Sequence, residues 1–264
     1  MPLRRKISET ICGVRRMNVE SAETTRTWAW RRLLRASALT SVVLMVAGMA
    51  IFGPDPILIV LAVLLSAGVL VTRWKTRVGA IVIALPSLAI EAFAGSSAIF
   101  VVTHPIAFID SSGGLFTLLA VLALVNLIAV VGTLTERPVS ALRSPRASAV
   151  VGGLAVVLLA VVAVLGGAAR LGFTNATAAS GDTRIEMKDT KYSTGSLDST
   201  QAVNIYITNS DPTLHTFTID GAVNQAVPAN SHGKVSIRLK PGQYRYYCAV
   251  PGHAETMHGT LTVH

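Results

Sequence analysis

Near the end of this 264-residue chain the stretch "YYCAVPGHAETMHG" brings Cys248, His253 and Met257 close together. Upstream, "NSDPTLHTF" supplies His215 at the start of an apolar run. One thiolate, two imidazoles and a thioether are the donors of a type 1 copper site, a trigonal His₂Cys set with a long axial Met. In "QYRYYC", Tyr244, Tyr246 and Cys248 fall on one face of a strand and Arg245 and Tyr247 on the other, because side chains alternate with period two. Arg245 belongs in solvent, so Cys248 points inward at the strand end. Pro251-Gly252 then makes a tight turn that swings His253 back toward the sulfur. His232, in "ANSHGK", is flanked by turn formers and reads as a surface residue. His258 opens the last strand, where parity turns it away from its neighbour Met257.

These residues need a rigid frame. From residue 183 onward, short alternating runs separated by turn residues ("TRIEMKD", "QAVNIYITN", "HTFTID", "KVSIRLK", "QYRYYC", "GTLTVH") predict an all-β unit. Residues 183–264 suffice for a small two-sheet sandwich. They follow a small, polar linker, 169–182, containing "FTNATAASGDT", expected to let the domain stand off from what precedes it.

What precedes it is apolar. The chain is 51% hydrophobic and only 14% charged, below the charge content of an ordinary soluble domain. Five segments, about 36–53, 56–72, 78–95, 115–135 and 148–168, approach the roughly 20 residues that a hydrocarbon core requires. Residues 36–168 are therefore expected to form a transmembrane domain of about five helices behind a basic segment, 1–35. That segment carries nine Lys and Arg, 73–77 carries three and 136–146 carries three. The alternate connections carry none. Basic residues mark the cytoplasmic side, so the N-terminus is expected inside and, after five crossings, the C-terminal domain outside. The net charge of +9 is then topology, and nucleic acid is not an expected partner; the lipid bilayer is. Cys12 and Cys248 are the only cysteines, and this topology separates them. Cys248 is left alone in a compartment that favours disulfides, which a metal-bound thiolate accounts for.

On the spacing Cys248-x4-His253-x3-Met257, with "PGQYRYYCAVPGH", "MHGTLTV" and the upstream "LHTFTID", residues 183–264 resemble the cupredoxins, the family of azurin and plastocyanin. The resemblance implies a Greek-key β-sandwich holding one type 1 copper through His215, Cys248, His253 and Met257. It implies single-electron transfer rather than catalysis. It also implies electron routes through the edge of His253, set among Ala249, Pro251, Gly252 and Ala254, and laterally through Tyr247. Many members carry Asn after the first histidine; Thr216 stands there, where its hydroxyl makes the weaker tie between the ligand loops.

The membrane half offers fewer signals. Glu91 and Asn126 lie within apolar spans, where polar groups are costly unless paired or facing a cavity. Helical rise brings them to depths where they could touch, and a hydrogen bond between helices is the simpler expectation. His104 and Asp110 sit in the outer connection "SSAIFVVTHPIAFIDSSGG". The overall expectation is a membrane-anchored, extracytoplasmic electron carrier whose partner is a redox protein or a quinol. The alternatives are a copper-handling protein, for delivery or sensing, and a quinol-linked respiratory subunit using Glu91.

Overall fold

The computed structural model describes residues 29–51, 53–110, 112–135 and 145–264. Most of the basic segment 1–35, with Cys12, and most of the connection 136–146 lie outside the described residues.

Six helices come first: α1 (Ala29–Ile51), α2 (Pro56–Val71), α3 (Thr76–Thr103), α4 (Ala107–Asp110), α5 (Gly113–Leu134) and α6 (Pro145–Gly172). Four of them, all but α2 and α4, are long and apolar enough to cross a membrane. At 16 residues, α2 is shorter than the roughly 20 a crossing takes. Its start is set locally: Asp55 accepts the N–H groups of Ile57 at 2.7 Å and Leu58 at 3.1 Å, and Pro56 takes the first helical position, where its missing N–H costs nothing.

Helix boundaries differ from the sequence expectation where hydropathy alone set them. Helix α1 includes residues before 36, among them Trp30 and Leu34, both buried, so the end of the basic segment is helical. Helix α3 runs 28 residues, to Thr103 rather than 95, with Pro86 inside it. At 1.5 Å per residue that is about 42 Å, longer than a hydrocarbon core of about 30 Å. The outer connection contains a further short helix, α4, and α6 extends to Gly172, into the segment expected as linker.

The chain divides into two compact units. One comprises 94–118 with 159–264, and the other comprises the described residues up to 93 with 119–158, the division falling within α3, α5 and α6. Within the latter, α1 and α5 meet closely: a side chain at Gly132 would collide with the Trp30 ring. Ser37 of α1 donates to Asn126 Oδ1 of α5. Asn126 is thus paired between helices, with Ser37 and not with Glu91, and its Nδ2 has no partner among the described residues. Glu91, half-buried on α3, lies beside neither group in any hydrogen bond among the described residues.

In the other unit nine strands form two sheets: β1 (Thr183–Lys188), β2 (Lys191–Tyr192), β3 (Ser196–Ser199), β4 (Ala202–Asn209), β5 (His215–Ile219), β6 (Val223–Val227), β7 (Ser231–Arg238), β8 (Gly242–Tyr247) and β9 (His258–Val263). The sheet orders are β2-β1-β4-β7 and β3-β9-β8-β5-β6, so the chain crosses between sheets after β2, β3, β4, β6 and β7. Strands β2, β3 and β6 were not anticipated; two are too short for an alternation to register, and in β6 the adjacent Asn224 and Gln225 break it. The alternation in β4 does its expected work, burying Val203, Ile205 and Ile207 while Asn204 and Tyr206 point outward. These residues meet Phe217, Tyr246 and Leu261 of the facing sheet in one apolar core.

Two expectations are corrected here. His232 lies within β7, half-buried and stacked on Tyr206, because the turn formers before it end at Asn230. The linker is not a free tether: Ala176 N–H donates to His232 O at 3.0 Å, and His232 N–H donates to Asn175 Oδ1 at 2.8 Å.

Candidate metal centre

Strands β5, β8 and β9 are neighbours in one sheet, and their ends carry the chemistry. His215 is the first residue of β5, Cys248 directly follows β8, and Met257 directly precedes β9. The antiparallel register that pairs Thr218 with Tyr247 brings Thr216 opposite Ala249, so the β5 start and the β8 exit meet at one end of the sandwich.

The loop between Cys248 and Met257 is closed at its base by Cys248 N–H donating to Met257 O at 3.0 Å. Inside it, His253 N–H donates to Val250 O at 3.0 Å, and Gly252 has φ +85°. Pro at the second and a positive-φ Gly at the third position make a type II turn, which fixes where the His253 ring starts. Met257 N–H then returns to His253 O at 2.8 Å.

His215 Nδ1, Cys248 Sγ and His253 Nδ1 converge. The sulfur lies 3.8 Å from the first nitrogen and 3.6 Å from the second, and the nitrogens are 3.2 Å apart. His215 and Cys248 are fully buried, and His253 is half-buried. His215 has its other nitrogen, Nε2, 2.6 Å from Asp211 Oδ2. A carboxylate only accepts, so Nε2 carries the proton and Nδ1 presents a lone pair to the centre.

Burial pushes the His215 pKa down, against the pull of Asp211, and burial beside His215 lowers His253 to about 4. Both rings are therefore neutral donors at neutral pH. Burial also raises the Cys248 thiol, opposed by the N–H of Thr216, which points at Sγ from 3.4 Å. A buried cluster of lone pairs without a cation is repulsive, whereas a metal ion draws them together and deprotonates the thiol. Separations of 3.8, 3.6 and 3.2 Å would let one first-row metal ion reach all three donor atoms at bond lengths of about 2.0–2.3 Å, those known for zinc with nitrogen and sulfur.

Asp211 is the residue that sequence reasoning missed. Its carboxylate also accepts Asp189 N–H at 2.8 Å and Thr190 N–H at 3.1 Å, in a turn where both residues have positive φ, 53° and 55°. Burial opposes its ionisation, but these N–H groups and His215 hold its pKa below the usual carboxylate value. The signal available was an acid four residues before the first ligand, in "DPTLH". Asn209, also missed, donates through Nδ2 to Thr213 O and Pro228 O, each at 2.8 Å, and accepts Asp211 N–H at 3.0 Å. It shapes the loop ahead of His215.

Thr216 does tie the ligand loops. Its Oγ1 accepts Ala249 N–H at 2.7 Å and lies 3.0 Å from Thr218 Oγ1, which donates to Asn224 Oδ1 at 3.0 Å. Met257 is fully buried in the same core as Cys248. His258 is exposed, with Nδ1 against Ala254 O at 3.1 Å, as its parity required. Tyr247 is half-buried, donates to Asp220 at 2.7 Å and lies under the Arg245 guanidinium. Glu91 and Asn126 belong to the other compact unit.

Residues 155–263 match the family model described as cupredoxin-like domain, a match that begins within α6. Among solved structures, auracyanin A from the green thermophilic photosynthetic bacterium Chloroflexus aurantiacus is 21% identical, covering 31% of this chain and 98% of its own, with a TM-score of 0.29. Amicyanin from Paracoccus versutus is 16% identical, covering 33% of this chain and 85% of its own, with a TM-score of 0.28. No curated protein matches. The C-terminal β-sandwich is thus a cupredoxin-like domain following several apolar helices, and its His215–Cys248–His253 group supports a single type 1 copper as cofactor.

Proposed function

We propose that this protein is a membrane-anchored type 1 copper protein that carries single electrons on the extracytoplasmic face of a cell membrane. The observation that carries the reading is the buried triangle of His215 Nδ1, Cys248 Sγ and His253 Nδ1, with one tautomer already fixed by Asp211. When bound, copper supplies a one-electron couple that this mixed soft and borderline donor set suits in both oxidation states. The chain's own residues supply rigidity. Asp211 holds the His215 ring, Thr216 clasps the two ligand loops, and the type II turn at Pro251-Gly252 holds His253, so little needs to move when the charge at the centre changes.

Met257 is the fourth donor in this reading, supported by its complete burial beside Cys248 and its place at the closed base of the loop. The half-exposed edge of His253 is the main electron port. Tyr247 is the lateral port, although its tie to Asp220 leaves it a structural task as well. An enclosed set of few donors favours a carrier over delivery or sensing, which calls for exchangeable ligands. The helices anchor the domain in this reading, with α2 taken as a short fifth crossing and the lysines and arginines of 1–35, 73–77 and 136–146 marking those segments as inside. Asn126 serves a contact between helices in this reading, and Glu91 is given no catalytic part. The redox partner is a quinol at the His253 edge or a protein on the Tyr247 side.

The test is the visible spectrum of the purified, copper-loaded chain. One copper per chain and an intense thiolate-to-copper band that vanishes in Cys248→Ser are expected. A colourless protein that takes zinc as readily as copper would overturn the assignment. Reporters fused after Arg77 and Arg146 should read cytoplasmic and one after His264 external; a cytoplasmic reading at His264 would overturn the orientation.

A further inference from the structure

We propose that residues 100–110 form a resident cap on the ligand-loop face of the copper domain, fastened by Asp110, which keeps a second protein off that face. The kinetic part of this inference rests on the type 1 copper reading; the cap itself does not.

Two residues beside the metal ligands are covered. Leu214 directly precedes His215 and is fully buried in a cluster with Val101, Ile106 and Ala107. Val250, two residues after Cys248, packs against that cluster, as do Phe100 and Phe108. Asp110, at the end of α4, makes three attachments. Its carbonyl accepts Leu214 N–H at 2.8 Å, its Oδ2 accepts Ala229 N–H at 3.1 Å, and its Oδ1 pairs with Arg170 Nε at 3.1 Å. The first two reach the loops before β5 and before β7, and the third reaches the last turn of α6. The connection is backed closely by α6 itself: a Cβ at Gly166 would stand 2.6 Å from Pro105 O. A lone aspartate on an exposed loop could not hold a domain, but an apolar cluster and three directed bonds within one compact unit can.

The consequence concerns access. His215 and Cys248 are fully buried, so the centre reaches solvent through half-buried His253. A small ion needs only that ring edge. A redox protein, even in a weak complex burying under about 1,200 Å² in total, needs several hundred Å² on each side. Around His253 such a footprint runs onto Leu214 and Val250, which the chain's own segment already occupies. The cap therefore separates small oxidants from large ones.

The experiment uses the full, copper-loaded chain in lipid nanodiscs, reduced and mixed with ferricyanide or with an oxidised c-type cytochrome, each taking one electron per copper. Asp110→Ala and Ala107→Asp should raise the second-order rate with the cytochrome tenfold or more while the ferricyanide rate stays within twofold. The amides of Leu214 and Ala229 should exchange faster in both. An unchanged cytochrome rate in a variant whose Leu214 amide has lost protection would overturn the cap, as would equal acceleration of both oxidants. Unchanged protection in both variants would overturn the role of Asp110. If either variant loses its copper band, Arg170→Gln, on the outer side of the clamp, replaces it. Absence of a band in the unmutated protein would instead refute the copper reading, and amide exchange would then decide the cap alone.

Discussion

Asp211 Oδ2 and His215 Nε2 lie 2.6 Å apart, so one carboxylate sets the tautomer of the first ligand while its N–H partners, Asp189 and Thr190, hold a turn on the opposite sheet. A single side chain thereby couples the metal centre to the far layer of the sandwich.

Removing that carboxylate should be felt twice. In Asp211→Ala two backbone N–H groups and the His215 ring lose their acceptor, at about 1–3 kcal/mol for each donor left buried. Copper affinity should fall about 10–100-fold, the usual cost of losing the group behind a ligating histidine. Asp211→Asn keeps an acceptor oxygen and should recover most of the affinity. Chelator competition on the copper-loaded chain measures both, and an alanine variant with unchanged affinity would show that the ring is held by packing alone.

Thr216→Val keeps the shape of the side chain and removes its oxygen. Ala249 N–H, 2.7 Å from that oxygen, would be left without its partner next to Cys248, a loss of about 1–3 kcal/mol. The loop after β8 should loosen, seen as faster amide exchange at Ala249 and a broadened thiolate band. Thr216→Ser should leave both unchanged. If valine behaves like serine, the hydroxyl is not the clasp between the loops.

The His215–Cys248–His253 cluster was legible in part because Cys248 and His253 lie on one loop, which ends at Met257, the proposed fourth donor, and strand parity sufficed to turn Cys248 inward. His215 needed only the chemical requirement for a second imidazole. Asp211 was not legible, since an aspartate before a proline reads as a turn former, and only the folded register shows it also bonding residues 189 and 190. The same limit explains β3, which pairs in parallel with β9 from Ser196 to Ser199, a partner some sixty residues on that no local pattern reveals. Among the helices, hydropathy found the apolar centres but not the ends. Trp30 and Leu34 are buried between charged residues that a window average counts as outside.

Gly252→Ala should strain the type II turn. Its Cβ would meet open space, so sterics with neighbours are not the issue; the φ of +85° is, at about 1–2 kcal/mol for a residue with a Cβ. The fold should survive with His253 displaced, giving a shifted absorption band and weaker copper binding in the same chelator competition. An unaltered spectrum would mean the ring is positioned by the metal and not by the turn.

The last prediction concerns pH and the copper-free chain. His253 has its pKa lowered to about 4 and His215 is also lowered, both first by burial, whereas an unfolded histidine titrates near 6.5. Below about 6.5 the unfolded domain therefore binds protons that the folded domain refuses, and stability must fall as pH falls. This contribution is fully present above about 6.5 and, for His253, is gone once pH has dropped through about 4. Asp211 acts in the same sense at lower pH, because its pKa is depressed in the folded state and its stabilisation is lost only as its carboxylate protonates. All five tyrosines of the chain lie beyond residue 190 and all three tryptophans before residue 75, so the near-ultraviolet tyrosine signal and amide exchange in 183–264 report this domain separately from the helices. Unfolding midpoints should drop steadily from pH 7 to 4 without copper. With copper bound, protons must displace the metal before they reach either ring, so the loaded domain should hold a flat stability to a lower pH and then lose it with the colour. A copper-free domain equally stable at pH 7 and 4.5 would show that the histidines open to solvent without cost, and that the pocket is not held ready for a metal.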